Sequence, residues 1–231
     1  RTRPDRMDAV MNVLVTGANG FVGTALQGRL RNEGHDVRAI TRNEVGYIDS
    51  ETEWAPYLEN VETIVHLAGR AHVMRETAKD PFAEFRKTNR DGTVCLARCA
   101  IASGVRRLVF ISSVKVNGEA SDNPFNSSSP AMPHDPYAIS KFEAEQVLES
   151  LRSELEIVIF RPPLVYGPNV RGNFIRLIKL VERGIPLPLA SVTNRRSFVG
   201  LTNLADAICW GVRVQPGLYF PSDRQDQSTA D

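Results

Sequence analysis

Tyr137 and Lys141 stand four residues apart in the segment Pro-Tyr-Ala-Ile-Ser-Lys. On an α-helix residues i and i+4 share a face, so this spacing sets an ammonium beside a phenol. A free phenol titrates near pH 10 and a neighbouring cation favours phenolate, so Lys141 is expected to draw the Tyr137 pKa down. Such a phenol can pass a proton to or from the oxygen of an alcohol/ketone couple. The same pattern also occurs on ordinary exposed helices as a packed ring and a solvated amine. The surrounding elements must decide.

A second group lies near the amino end. Residues 12–16, Asn-Val-Leu-Val-Thr, are apolar and β-branched, as in a buried parallel strand. They run into Gly17-Ala-Asn-Gly20-Phe-Val-Gly23 and then a stretch of helical period. Strand, glycine turn and helix form the context in which a dinucleotide site is expected. Gly17 suits the tight turn, Gly20 the approach of backbone to a pyrophosphate, and Gly23 close helix–strand packing. The helix N-terminus offers its positive dipole end to the phosphates, with Asn19, Phe21 and Val22 completing the loop.

The Gly-x-x-Gly-x-x-Gly spacing, with Tyr137 and Lys141, resembles the extended, nucleotide-sugar-modifying branch of the short-chain dehydrogenase/reductases. Further segments agree in order: His66-Leu-Ala-Gly69, Asn89-Arg-Asp-Gly-Thr93, Phe110-Ile-Ser-Ser113, Arg161-Pro-Pro-Leu-Val-Tyr-Gly-Pro168, Gly172-Asn-Phe174 and Arg196-Ser-Phe-Val199. The resemblance spans residues 12 to about 225 and implies a role for each segment. Leu67, Ala68 and Gly69 line the adenine side, and Asn89 props the central helix. Ser113 joins Tyr137 and Lys141 in the catalytic set, with Ser112 as its competitor and a cofactor contact. Pro163 and Val165 close over nicotinamide, and Asn173 and Arg196 hold the substrate diphosphate.

The end of the second strand, His35-Asp-Val-Arg-Ala-Ile-Thr41, bears on which dinucleotide fits. NAD-specific sites place a carboxylate there against the ribose 2′-OH. Here Thr41 and Arg42 occupy it, so a 2′-phosphate meets a guanidinium and NADP(H) is favoured over NAD(H). Glu44 becomes the ribose ligand if the register slips. Ile48 falls at a cofactor contact, whereas Tyr47 replaces the family's usual adenine-side carboxylate unless Asp49 serves instead.

Together these features imply hydride transfer at C4 of a nucleotide sugar, UDP-linked in the family pattern, with Tyr137 as acid/base. Ser113 would hydrogen-bond the reacting oxygen as charge develops. The related 4,6-dehydratases carry Asp-Glu after the equivalent hydroxyl residue; here Val114 and Lys115 stand there, so dehydration is not expected. Epimerisation and 4-keto-sugar (or other ketone) reduction with NADPH both remain open. A non-enzymatic NADP(H)-binding redox sensor is the rival of another class, disfavoured by an intact Ser–Tyr–Lys set.

The chain of 231 residues is 42% hydrophobic with net charge +1, which gives no electrostatic reason to expect nucleic acid or a membrane surface as partner. Three cysteines make no even disulfide set, as in a reducing cytoplasm. Cys95 and Cys99 fit two core thiols, and the four histidines lack ligand spacing, so no metal is expected. Strands near 12–16, 37–41, 63–67, 107–111 and 156–160 alternate with helices near 21–33, 81–103 and 137–152. This pattern predicts an α/β, Rossmann-type doubly wound parallel sheet. Residues 1–10 read as a disordered leader and 11–168 as the dinucleotide-binding domain. Residues 169–231 read as part of a substrate-binding region, truncated before its lid but with elements returning to the core. Residues 117–136 read as a loop beside the active site. By analogy with the family, a homodimer would pair through the helices near 81–103 and 137–152.

Overall fold

The computed structural model describes residues 10–71, 78–170, 173–184 and 192–228. Six strands form one sheet in the order β2-β1-β3-β4-β5-β8, every neighbouring pair parallel. They are β1 (Asn12–Thr16), β2 (Asp36–Ile40), β3 (Thr63–His66), β4 (Arg107–Ile111), β5 (Glu156–Phe160) and β8 (Gly217–Tyr219). A separate parallel pair, β6 (Leu164–Tyr166) with β7 (Phe198–Gly200), stands beyond the end of β5. The doubly wound α/β architecture expected from the alternation is the one observed.

Strand periodicity sends alternate side chains to opposite faces, and each face has its own core. On one face Leu14, Ile64, Leu108, Phe110, Ile157 and Ile159 pack against α3 (Ala55–Leu58), α5 (Gly92–Ala102) and α6 (Pro136–Ser150). On the other, Val13, Val15, Val65, Val109, Val158 and Phe160 pack against α1 (Phe21–Asn32) and α8 (Leu201–Gly211). So α8 and β8, from the region after 168, belong to the main sheet's layers. The short helices α2 (Arg42–Val45) and α4 (Pro81–Arg86), and α7 (Asn173–Glu182), complete the helical set among the described residues.

Two local features differ from expectation. The helix expected over 81–103 is broken into α4, a π-helical turn at Lys87–Asp91 and α5. A π turn carries one residue more than an α turn, and such insertions concentrate at functional sites. The loop expected from 117 to 136 begins after a 3-10 turn, Val114–Asn117. Of the expected leader, only Val10 lies within the described residues. No helix among the described residues is long and apolar enough to cross a membrane.

Candidate active site

The site forms where β1, β3, β4 and β5 end together, the edge at which open parallel sheets bind ligands. At β1, Gly17 adopts φ +64°, and a Cβ there would lie 2.8 Å from Ala68 N. Gly20 N–H donates to Gly17 O (2.9 Å) and Gly20 then becomes the N-cap of α1, with no side chain capping that end. A Cβ on Gly23 would sit 2.4 Å from Gly17 O. That approach is too close for any side chain, so Gly23→Ala must part the loop from α1, an overpacking of roughly 1–3 kcal/mol. Calorimetric titration with dinucleotide should show affinity at least about tenfold weaker, while the thermal midpoint reports any global loss.

Behind this loop runs a buried chain of hydrogen bonds. Thr93 Oγ1 donates its proton to Asn89 O (2.7 Å), so at His66 Nε2 (3.0 Å) it must accept. His66 is therefore the neutral Nε2–H tautomer. Its Nδ1 accepts from Thr16 Oγ1 (2.7 Å), which in turn accepts from Ala68 N (3.2 Å). Burial, seconded by the Lys141 charge, pushes the His66 pKa down to about 3.

Asn89 stands inside the π turn, fully buried. Its Oδ1 accepts from Arg70 N (2.7 Å), and its Nδ2 donates to Arg70 O (3.0 Å) and Ser140 Oγ (3.0 Å). Ser140 Oγ donates to Tyr137 O (2.7 Å). Asn89 thus joins the segment after β3 to the start of α6.

Tyr137 opens α6 just after Pro136 at N1, with Asp135 as N-cap accepting from Ala138 N (2.7 Å). The Ser113 hydroxyl lies near enough to its phenol to favour the ionised form, and the Phe85 ring meets it edge-on at 6.1 Å. Ser113 caps the 3-10 turn by accepting from Lys115 N (3.3 Å). Lys141, one turn on, is buried; its Nζ donates to Ile111 O (2.9 Å) and lies 4.5 Å from the Phe110 ring centroid. A Cβ on Gly69 would come within 3.3 Å of that nitrogen and 3.0 Å of Asn89 Oδ1. Gly69, Asn89, Lys141, Tyr137 and Ser113 are therefore brought together.

The electrostatics overturn one expectation. The Tyr137 pKa is not drawn down but pushed up to about 12, because enclosure of the phenol outweighs the influence of the nearby Ser113 hydroxyl. The charges bearing on it are Asp135, which raises the pKa, and Lys115, which lowers it. Lys141 instead turns its amine to the end of β4, where burial lowers its own pKa to about 8 against the partial support of Glu145. The shared helix face is as expected, but i,i+4 spacing does not say where a long side chain ends.

The remaining expected positions divide. Ser112 is buried and its hydroxyl lacks a hydrogen-bond partner among the described residues, beside Ser113 at the end of β4. Leu67 and Ala68 are half-buried under the Gly17 turn. Ile48 is buried in the core, its Cγ2 against Gly92. Thr41 and Glu44 form a capping box at α2: Glu44 Oε2 accepts from Thr41 N (2.7 Å) and Thr41 Oγ1 (2.6 Å). The capping box thus engages Glu44 Oε2 at the end of β2. Arg42 lies over the exposed Tyr47 ring at 4.8 Å. Asp49 caps Glu51 N (2.9 Å) and pairs with Lys87 (3.4 Å). Asn19 is exposed, Phe21 and Val22 begin α1, and Pro163 and Val165 follow β5 at the β6–β7 pair. Arg196 is exposed, its backbone bridged to Gln227. Gly172 and the Asn173 side chain lie outside the described residues.

Two groups escape a reading of the sequence. Asp135 carries the Asp-Pro signature of a helix start and could have been found from it. Arg161 pairs with Glu145 through both carboxylate oxygens and donates to Asn117 Oδ1 (3.0 Å), all buried. Asn117 Nδ2 in turn holds Ser129 O and Pro130 O, each at 3.2 Å. Nothing in local spacing marks that contact, which links residues 16 and 44 positions apart.

Comparison with known proteins supplies the family. The model of the NAD dependent epimerase/dehydratase family matches residues 13–216. The chain belongs to that family. As a family member it is an enzyme of the extended short-chain dehydrogenase/reductase type expected from its motifs. It is 41% identical over 239 residues to a UDP-glucose 4-epimerase of Vibrio cholerae, covering 95% of this chain and 73% of that one. Among solved structures, MoeE5 in complex with UDP-glucuronic acid and NAD is 28% identical with a TM-score of 0.82, covering 94% and 78% of the two chains. The NAD complex of the UDP-glucose 4-epimerase of Thermus thermophilus shares the fold, with a TM-score of 0.79 over 95% of this chain and 80% of its own, at 24% identity.

The family member's own residues fit a dinucleotide. The glycine cradle has no room for a Cβ at Gly17 or Gly23, the α1 N-terminus is not capped by a side chain, and Ser112 offers a buried unpaired hydroxyl.

Proposed function

We propose that this protein acts at C4 of a UDP-linked sugar by hydride transfer, with Tyr137 donating and accepting the proton. The convergence of Ser113 and Tyr137 with buried Lys141 and Gly69 at the sheet edge carries this reading. When bound, a nicotinamide dinucleotide supplies the hydride donor or acceptor. Gly17, Asn19, Gly20, Phe21, Val22 and Gly23 would hold its phosphates, Ile48 and Leu67 to Gly69 its adenine side, and Ser112, Lys141, Pro163 and Val165 its nicotinamide end.

Tyr137 is a neutral phenol at working pH and stands ready as the proton donor, while Ser113 can donate to the same reacting oxygen. No carboxylate pair follows Ser113. The carboxylates that do approach, Glu119 and Asp135, are both bound by Lys115. This supports epimerisation or reduction over water elimination. Arg196 and Asn173 are the proposed diphosphate contacts. Calorimetry with UDP tests the substrate class: the absence of binding would remove it.

Arg42 favours a second reading, reduction of a 4-keto sugar with NADPH. It stands just after β2, and Oε2 of the neighbouring Glu44 is engaged by Thr41. Arg42→Ala should weaken NADPH about tenfold or more and leave NADH almost unchanged, as expected for one charge-assisted hydrogen bond lost. Equal effects on both would reject the NADP preference. NAD retained through purification would favour the epimerase, and readily exchanged NADPH the reductase.

A further inference from the structure

A chain of contacts runs around the phenol. Ser113, whose hydroxyl bears on the phenol, accepts from Lys115 N (3.3 Å). Lys115 Nζ donates to Asp135 Oδ2 (2.7 Å), and Asp135 Oδ1 accepts from Ala138 N (2.7 Å) in the turn that carries Tyr137. Glu119 takes a further proton of Lys115 Nζ (3.1 Å). The base of these contacts is fixed, since Val114 N donates to Pro162 O (3.0 Å). One ion pair among these links is Lys115–Asp135.

We propose that Lys115 and Asp135 are paired positioning residues for Tyr137, their ion pair setting the separation of the Ser113 and Tyr137 hydroxyls and balancing charge at the phenol. This rests on the reading of Tyr137 as the proton-transferring group. The position beside the reactive serine, where a carboxylate would serve elimination, is thereby given to a cation that neutralises the nearest carboxylate instead.

Among the described residues, the following groups approach the phenol. From its own helix come the Asp135 cap and Lys141, whose amine is turned to Ile111 O. From the 3-10 turn come Ser113 and Lys115. From α4 comes the Phe85 ring, with the Arg70 guanidinium 5.3 Å from that ring on its own account. Asp135 and Lys115 act on the phenol in opposite senses. Removing the cation alone leaves an unbalanced carboxylate beside Tyr137, and removing the carboxylate charge alone leaves an unbalanced cation.

The test uses the full chain turning over UDP-glucose. Lys115→Met should lower kcat about three- to tenfold with KM within about twofold, as for one partly exposed ion pair beside the reacting group. Lys115→Arg should restore at least about half of the rate. Asp135→Asn keeps the helix cap, because Asn also caps well, yet should lower kcat similarly. The alkaline limb of kcat/KM should move up in Lys115→Met and down in Asp135→Asn, opposite shifts that mere loosening would not produce. The double variant should be no slower than the worse single one. Wild-type kcat in Lys115→Met, no rescue by Arg, limbs moving the same way, or multiplying single effects would each overturn the pairing. With Tyr137→Phe assayed alongside, an inactive Tyr137→Phe beside an unimpaired Lys115→Met rejects the pair and keeps the proton reading. An active Tyr137→Phe overturns both.

Discussion

Tyr137→Phe should bind dinucleotide within about twofold of wild type and turn over substrate ~10²–10⁴ times more slowly, the range of a lost general acid–base group. The substitution removes one oxygen from a half-buried ring that also packs edge-on against Phe85, so the fold keeps its contacts. Ser113 keeps the N–H of Lys115. Lys141, bonded to Ile111 O rather than to the phenol, keeps its position for the dinucleotide. Stopped-flow turnover beside fluorescence titration of the dinucleotide separates the two effects. Turnover within threefold of wild type would end the proton-transfer reading, and a parallel collapse of affinity would recast Tyr137 as a binding residue.

The fold should also lose stability in acid through His66. The imidazole is held neutral with a pKa of about 3, against 6.5 for the ordinary side chain. Between those values the unfolded chain binds a proton that the folded chain refuses. The stability is therefore fully present above pH 6.5 and falls as pH drops towards 3, by about 5 kcal/mol over the whole window. The cause is geometric as well as electrostatic: protonating Nδ1 turns the acceptor for Thr16 Oγ1 into a second donor. Urea midpoints of wild type and His66→Gln at about pH 7 and pH 4.5 provide the measurement. Wild type should lose about 3 kcal/mol more than the variant on acidification. Parallel losses in the two proteins would mean that His66 titrates normally.

Much of this is legible from residue types. The strands at 12–16, 107–111 and 156–160 fall where expected, because buried parallel strands are short apolar runs between breakers. The glycine turn is readable for a similar reason: Gly17 and Gly23 each answer a contact that no Cβ could survive. The π turn at Lys87–Asp91 is not, since one inserted residue leaves both flanking helical periods intact. The three-residue strands β6, β7 and β8 are too short to show alternation. At the site, the positions of Ser113, Tyr137, Lys141 and Asn89 can be read, whereas the direction of the Tyr137 shift cannot. It depends on where the Lys141 amine comes to rest and on how closely the phenol is enclosed. The capping box that occupies Thr41 and Glu44 is a local pattern, hidden here by the expectation of a ribose contact at the same place.

The buried Arg161–Glu145 pair has a consequence for how this scaffold can change over generations. Removing one partner strands a charge in a dry interior and costs about 3–5 kcal/mol, whereas exchanging both for well-fitting apolar side chains is often neutral. Neither position can drift alone. Because Arg161 also grips Asn117, which pins the chain at Ser129 and Pro130, mutational epistasis at the back of α6 extends to the segment that follows the 3-10 turn.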